Sequence, residues 1–405
     1  MKKLFISLTL LFILVIFTGC GNADTTTTSP SDNSNDQAST TDVSSESSEE
    51  KTVYIGFSGP LSGPAAFYGE NTLSGVEMAA DEINAAGGFK VNGDTYKIEI
   101  VSLDDKYLPN ETGTNARRLV QENDASIIFV PHSGGVFATQ VFNEQDGFLI
   151  AAYTSEPKIQ DQGNKLTLSI PPAYNAYPEP YSDYMMERFG KKLALLPTAT
   201  QYGKDWTETL VPVWESMGGE VVFDGSIDFS KDTDFFTIVT NALNEKPDVL
   251  FVGGPSQPTA LVIKQARELG FKGGFMVMDQ AKFEEMEPVL GGYELLEGAI
   301  GALPLVESEA PGGQTFAKKY EEIFGRIPTA EGGFNYQALH VLVNAMEAAG
   351  TVSDPNLIME HVNDGIQALA DEEMVWYLSG LEEGRFDWDT AIFVVENGKL
   401  VQVME

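Results

Sequence analysis

The sequence predicts an α/β protein made of two doubly wound, Rossmann-like lobes joined by a hinge of three chain crossings. Three observations predict it. Short apolar runs of β type alternate with amphipathic helical stretches, the pattern of parallel sheets covered on both faces. "SIIFV", "FLIAAY" and "DVLFVGG" are near-continuously apolar, as strands buried on both faces are. The alternation runs twice, with a break near Pro171-Pro172, in a stretch long enough for about two domains.

Taken in order, strands are expected at 53–57, 96–103, 126–130, 148–152, 193–197, 220–224, 248–252, 274–278 and 297–301. Helical patterns lie between them near 70–86, 110–123, 135–145, 175–189, 204–217, 234–245, 257–269, 281–289 and 312–324. In the first of these helices Leu73, Val76, Ala80, Ile83 and Ala86 recur at helical spacing, and Gly87-Gly88 ends the run. Beyond about Leu303 come two more helices (332–349 and 355–364) and a final hairpin. Its turn is Asn397-Gly398, a strong signal for a two-residue connection. That remainder is too small and too helical to stand alone, so it is expected to complete both lobes. The resulting division is 51–171 plus 304–387 for the first lobe and 172–303 plus 388–405 for the second.

The N-terminus predicts the compartment. Lys2-Lys3, an apolar run from Leu4 to Phe17 and the small residues before Cys20 read as a signal peptide over 1–19. The pattern resembles a bacterial lipoprotein signal, in which Cys20 becomes the lipidated first residue; an ordinary cleaved signal with an incidental cysteine is the alternative. Residues 20–50 are Ser, Thr, Asp, Asn and Glu with almost no large apolar side chain, so they are expected to form a disordered tether to the membrane. Cys20 is the only cysteine, which excludes an intramolecular disulfide and a thiolate nucleophile in the folded part.

The chain carries a net charge of −35, and most of the imbalance lies beyond the tether. Such a surface argues against nucleic acid and anionic lipid as partners. The usual catalytic signatures are absent: no G-x-S-x-G, no phosphate loop ending in Gly-Lys-Ser/Thr, no H-E-x-x-H and no G-x-G-x-x-G. His132, His340 and His361 are far apart and at no metal-ligand spacing. Asp232-Thr233-Asp234 reads as a helix cap rather than a calcium loop. No enzyme, no metal and no cofactor is expected.

What remains is a set of loops at the carboxyl ends of predicted strands, where open α/β sheets bind ligands. The first, "GPLSGPAAFYGEN", holds no catalyst and carries Phe67 and Tyr68. "PHSGGVF" follows "SIIFV"; its Ser133-Gly134-Gly135 turn suits a carboxylate, or Ser133 simply caps the next helix. "AAYTSEP" supplies Tyr153, Thr154 and Ser155. In the second half "PTATQYGKDW" places Tyr202 before a helix, and "MDQAKF" places Asp279 at a strand end. A carboxylate there either pairs with a ligand ammonium or caps a helix.

Together "GPLSGPAAFYGENTLSGVEMAADEINAAGG", "YGKDW", "DFSKDTDFFTIVTNALNEKPDVLFVGG", "IKQARELGFKGGFM" and "NYQALHVLVNAMEAAG" closely resemble the Leu/Ile/Val-binding branch of the ABC-transporter solute-binding proteins, with the type I periplasmic binding protein fold. The resemblance runs from Thr52 to the end of the chain. It implies a monomeric extracytoplasmic receptor that binds a small amino acid, apolar or aromatic, between its lobes and delivers it to a membrane permease. By position it implies that Ser133, Gly134, Thr154 and Ser155 hold the α-carboxylate. Tyr202 and Asp279 would meet the ligand from the second lobe, Asp279 pairing with the α-ammonium, and Tyr68 would stand at the rim. Rival readings are a ligand that is a short amide, urea or aromatic carboxylate, and a sensory module docking onto a membrane signalling partner.

Overall fold

The computed structural model describes residues 50–302, 304–389 and 391–404. The predicted signal peptide, Cys20 and the tether up to residue 49 lie outside the described residues.

In chain order the strands are β1 (Glu50–Gly59), β2 (Phe89–Val91), β3 (Asp94–Asp104), β4 (Ile127–Val130), β5 (Leu149–Ala152), β6 (Thr167–Ser169), β7 (Lys192–Pro197) and β8 (Glu220–Asp224). They continue as β9 (Val249–Gly253), β10 (Gly274–Val277), β11 (Ala299–Ala302), β12 (Leu378–Glu382), β13 (Arg385–Trp388), β14 (Ile392–Glu396) and β15 (Lys399–Met404). One sheet has the order β12-β13-β6-β5-β4-β1-β3-β2 and the other β15-β14-β11-β10-β9-β7-β8. The chain therefore passes between sheets three times: after β6, after β11 and after β13.

Each sheet has a parallel centre that begins from an inner strand. β1 pairs with β3 on one side and β4 on the other, and β7 likewise pairs with β8 and β9. The chain order reverses at those two strands, so the loops leaving β1 and β4, and those leaving β7 and β9, part to leave a crevice. β4, β5 and β9 are buried along their whole length, which is why their sequences show no alternation.

The final hairpin turns through Asn397 (φ 53°) and Gly398 (φ 70°), the backbone that a two-residue type I′ turn requires. The same Asn-Gly signal joins β2 to β3, at Asn92 (φ 52°) and Gly93 (φ 91°). Also unanticipated are β6, whose three residues are too few to show a period, and the β12–β13 hairpin, which turns at Glu383-Gly384. The first helix, expected from residue 70, spans Ala66–Ala85, so Tyr68 sits in its first turn instead of in a loop.

An aromatic stack lies where the two lobes meet. Trp206 from helix Gln201–Ser216 packs on Tyr174 (5.2 Å between ring centres) and Phe251 of β9 (5.1 Å), with Tyr181 beyond it. Trp206, Tyr174 and Tyr181 are fully buried. Burial of large rings here gives the hinge a dry, well-packed base.

Candidate functional site

The two lobes build their cleft walls from the same local device. In the first, Tyr68-Gly69 lies in the opening turn of helix Ala66–Ala85; in the second, Tyr202-Gly203 opens helix Gln201–Ser216. A Cβ on Gly69 would stand 1.9 Å from the carbonyl oxygen of Pro60, and one on Gly203 would stand 1.9 Å from that of Thr198. Only glycine lets each helix start sit against the end of the preceding strand. The tyrosine before each glycine then lines the cavity between the lobes.

First-lobe residues come from the ends of β4 and β5. Ser133 is the first residue of helix Ser133–Gln140 but does not cap it. The cap is His132, whose Nδ1 accepts from the Gly135 N–H at 3.0 Å while Nε2 faces Asp105 at 3.0 Å. That frees the Ser133 hydroxyl, which lies 2.7 Å from that of Thr154. One hydroxyl donates to the other, and the proton of the second partner is left for a ligand. Tyr153 faces Tyr68 at 6.1 Å and Phe334 at 6.0 Å, closing the wall with rings.

The second-lobe wall is ionic. Asp279, 8% exposed, does not cap helix Phe283–Leu290, which begins three residues beyond Gln280 with Lys282 at its N-cap. Its Oδ1 accepts from the Tyr202 hydroxyl at 2.5 Å and the Trp206 indole N–H at 2.8 Å. Both donors address one oxygen. The Lys282 ammonium donates to the backbone carbonyl of Asp279. Burial and the Asp279 carboxylate push the Tyr202 phenol well above its usual range; burial raises Tyr68 and Tyr153 in the same way, and Tyr107 to about 12. These tyrosines are neutral hydrogen-bonding groups at physiological pH.

Contacts span the cleft. Ser155 Oγ lies 3.0 Å from the Tyr202 hydroxyl, and the Gln280 amide donates to Tyr107 at 3.1 Å. Outside the cavity Lys158 pairs with Asp205 and, at 3.0 Å, with Glu208.

Tyr68, Ser133, Tyr153, Thr154, Ser155, Tyr202 and Asp279 thus all line one cavity. Gly134 does not; it stands behind that wall, where a Cβ would press on Pro109 at 2.8 Å. Of the two ring candidates in the first loop, Tyr68 faces the cavity, whereas Phe67 lies 5.9 Å from the Arg326 guanidinium.

Sequence reasoning missed Tyr107, Gln280, Lys282 and Phe334, which also line the cavity. Gln280 follows Asp279 directly and Lys282 stands three residues beyond it, so both were legible as part of that loop; Phe334 lies far away, at the start of helix Ala330–Ala349. Arg385 was missed as well. From β13 its guanidinium donates to the carbonyls of Thr154 (3.3 Å), Glu156 (2.9 Å) and Pro171 (2.6 Å), clamping the loop that presents the hydroxyls. Burial lowers that guanidinium to about 10, so it stays charged.

The cavity takes its walls from both lobes. It offers neutral donors on one wall, a carboxylate on the other and rings between them, which suits holding a small polar-ended molecule.

Comparisons with known proteins agree with that geometry. The family model described as "Periplasmic binding protein" matches residues 52–387. The chain is 24% identical over 344 residues to the Leu/Ile/Val-binding protein of Escherichia coli, covering 83% of this chain and 90% of that one. A solved structure similar in fold is the branched-chain amino acid transporter substrate-binding protein of Streptococcus pneumoniae in complex with isoleucine, with TM-score 0.74 and 22% identity, covering 88% of this chain and 100% of that one. Another is a solute-binding protein from Rhodopseudomonas palustris in complex with benzoate, with TM-score 0.74 and 19% identity, covering 87% and 96%. The chain belongs to the periplasmic binding protein family, and is a solute-binding protein rather than an enzyme.

Proposed function

We propose that the protein is the extracytoplasmic receptor of an ABC importer, lipid-anchored through Cys20, that closes its lobes as a monomer over a small amino acid and presents it to a membrane permease. The observation that carries this reading is the opposition, across one cavity, of the Ser133–Thr154 hydroxyls and the Asp279 carboxylate. A buried zwitterion needs both of its charges met. The α-carboxylate accepts from the hydroxyls and from N–H groups at the start of helix Ser133–Gln140. The α-ammonium donates to Asp279, while Tyr68, Tyr153 and Phe334 enclose an apolar or aromatic side chain.

Binding drives closure because the two ends of the ligand belong to different lobes. Neither wall alone satisfies both charges, so the bound state favours the arrangement in which the walls meet. The permease then distinguishes closed from open by shape.

A thermal-shift panel of amino acids, short amides, urea and aromatic acids tests the class. A ligand at a hundred-fold excess over its Kd adds about 2.7 kcal/mol of stability. Shifts confined to amino acids support the reading. In calorimetry with such a ligand, Asp279→Asn is expected to weaken binding by more than about ten-fold, the cost of a lost charge-assisted bond; unchanged affinity rejects the ammonium role. A second reading has one observation in its favour: Asp279 Oδ1 already receives two internal donors. On that reading the carboxylate organises the wall, and the ligand is an aromatic carboxylate or a short amide. Shifts with benzoate or amides, and none with amino acids, would select it.

A further inference from the structure

The second-lobe wall of the cavity holds a buried ammonium with no counter-charge in contact. Lys282 lines the cavity and is 5% exposed. Its Nζ donates to the backbone carbonyl of Asp279; this is its one hydrogen bond among the described residues, and with none of them does it form an ion pair. An ammonium carries three N–H donors, so two are left without an acceptor. Lys158, outside the cavity, is the contrast: its side chain is far more exposed, yet it pairs with both Asp205 and Glu208.

The groups around Lys282 do not take up that charge. Its backbone N–H donates to the Ser256 hydroxyl at 3.0 Å, at the start of helix Ser256–Glu268. In its own loop the Asp279 carboxylate accepts from Tyr202 and Trp206, and the Gln280 amide donates to Tyr107 while its Oε1 is buried with no donor. On the helix that follows, Glu284 accepts from the Leu305 N–H at 2.8 Å; its other oxygen and the Glu285 Oε1 have no donor. Glu284 feels the Lys282 charge without bonding to it. Burial raises Glu284 to about 7 and Glu285 well above its ordinary 4.5, so neither is a fixed negative charge below neutral pH. Three acceptors are close to Lys282 in the chain, and it binds none of them.

An ammonium taken out of water without a counter-ion is costly, far more so than a buried neutral group. The cavity that Lys282 lines is where a counter-ion can enter. In the binding mode argued above the α-carboxylate belongs to the first lobe, at the Ser133 and Thr154 hydroxyls, and the α-ammonium belongs to Asp279. The charge of Lys282 is then left for a third group of the ligand, and that group must be an anion. We infer that Lys282 is a specificity-determining residue of the cleft and pairs with a second acid group on the ligand. The ligand class is an amino acid whose side chain ends in a carboxylate.

This inference rests on the amino-acid reading and narrows it. Tyr68, Tyr153 and Phe334 then pack against the methylene stem between the two acid groups. Asp279 and Lys282 stand in one loop with opposite charges, matching the ammonium and the distal acid of such a ligand. An amide or alkyl end of the same shape would leave the ammonium buried and unpaired. Selection therefore comes from the penalty on the wrong ligand as much as from the bond to the right one. The chain's net charge of −35 slows the approach of an anion, whereas the ammonium inside the cavity sets how tightly it is held once there.

Titration calorimetry of the full chain with matched ligands tests this: L-glutamate against L-glutamine, and L-aspartate against L-asparagine. The wild type is expected to bind at least one acid about ten-fold or more tighter than its amide. K282M is expected to bring that ratio to within about two-fold, and K282R, which keeps the charge, to hold it. The ratio is internal to each variant, so a general loss of stability cancels. Should K282M fail to fold, the wild-type ratio and K282R decide. Equal affinity for acid and amide in the wild type, binding of leucine or phenylalanine in place of the acids, or a ratio kept in K282M overturns the proposal and leaves the amino-acid reading standing. If no amino acid binds and benzoate or a short amide does, the amino-acid reading fails and this inference with it.

Discussion

The two tyrosine–glycine helix starts show how one backbone device ends in two chemistries. Gly69 and Gly203 meet the preceding strand end at the same 1.9 Å virtual Cβ distance, and each delivers a tyrosine to the cavity. There the likeness stops. Tyr68 meets the ring of Tyr153, whereas the Tyr202 hydroxyl donates to Asp279 and contacts Ser155 across the cleft. The close approach is a property of the local chain. The role of the phenol is set by whatever the rest of the fold brings to it.

Three experiments sharpen that comparison. The largest effect is expected from Gly69→Ala and Gly203→Ala, which force a Cβ into a backbone carbonyl that cannot retreat like a side chain. Each should cost stability at or above the upper end of the ~1–3 kcal/mol typical of overpacking. Urea midpoints of the two variants test whether the devices are equivalent, and a cost in one lobe alone would break the parallel.

Next comes the pair Tyr202→Phe and Tyr68→Phe. Removing a donor from a carboxylate costs about 1.5–3 kcal/mol, so Tyr202→Phe is expected to weaken ligand binding ten-fold or more. Tyr68→Phe keeps the ring contact and is expected to stay within about three-fold. Calorimetry with equal losses in both would show that the lobes use their tyrosines alike.

The smallest effect concerns Glu156, which follows the hydroxyls of the first wall but turns away from the cavity. Its carboxyl accepts from Tyr174 at 3.1 Å and from the Lys158 N–H at 3.0 Å, and burial raises it to about 7. A carboxyl raised in the folded state favours folding fully below its ordinary 4.5, and that contribution is lost as pH climbs through about 7. Glu156→Gln should flatten this part of the stability profile, read from denaturant midpoints at pH 5 and pH 8, while leaving ligand affinity within about two-fold. A steeper profile in the variant would reverse the sign and refute the assignment.

Much of the fold was legible from the sequence because parallel strands buried on both faces have to be apolar, and helices that cover them have to be amphipathic. The Asn397-Gly398 turn, the helix stop at Gly87-Gly88 and the loops at the strand ends all follow from that local physics. So does the gathering of Tyr68, Tyr153, Tyr202 and Asp279 around one crevice, since strands of a doubly wound sheet point their carboxyl ends the same way.

Tertiary structure decided the rest. It gave Ser133 a free hydroxyl by letting His132 cap the helix, and it set Asp279 between Tyr202 and Trp206 instead of at a helix start. It brought Arg385 from a late hairpin to clamp the carbonyls of Thr154 and Glu156. It also buried Glu285 and Glu331, two residues that read in sequence as ordinary acids in the first turns of separate helices. Helix and strand patterns depend on neighbours a few residues away. The surroundings of a carboxyl depend on the water and the partners left around it, and only tertiary packing removes the one and chooses the other.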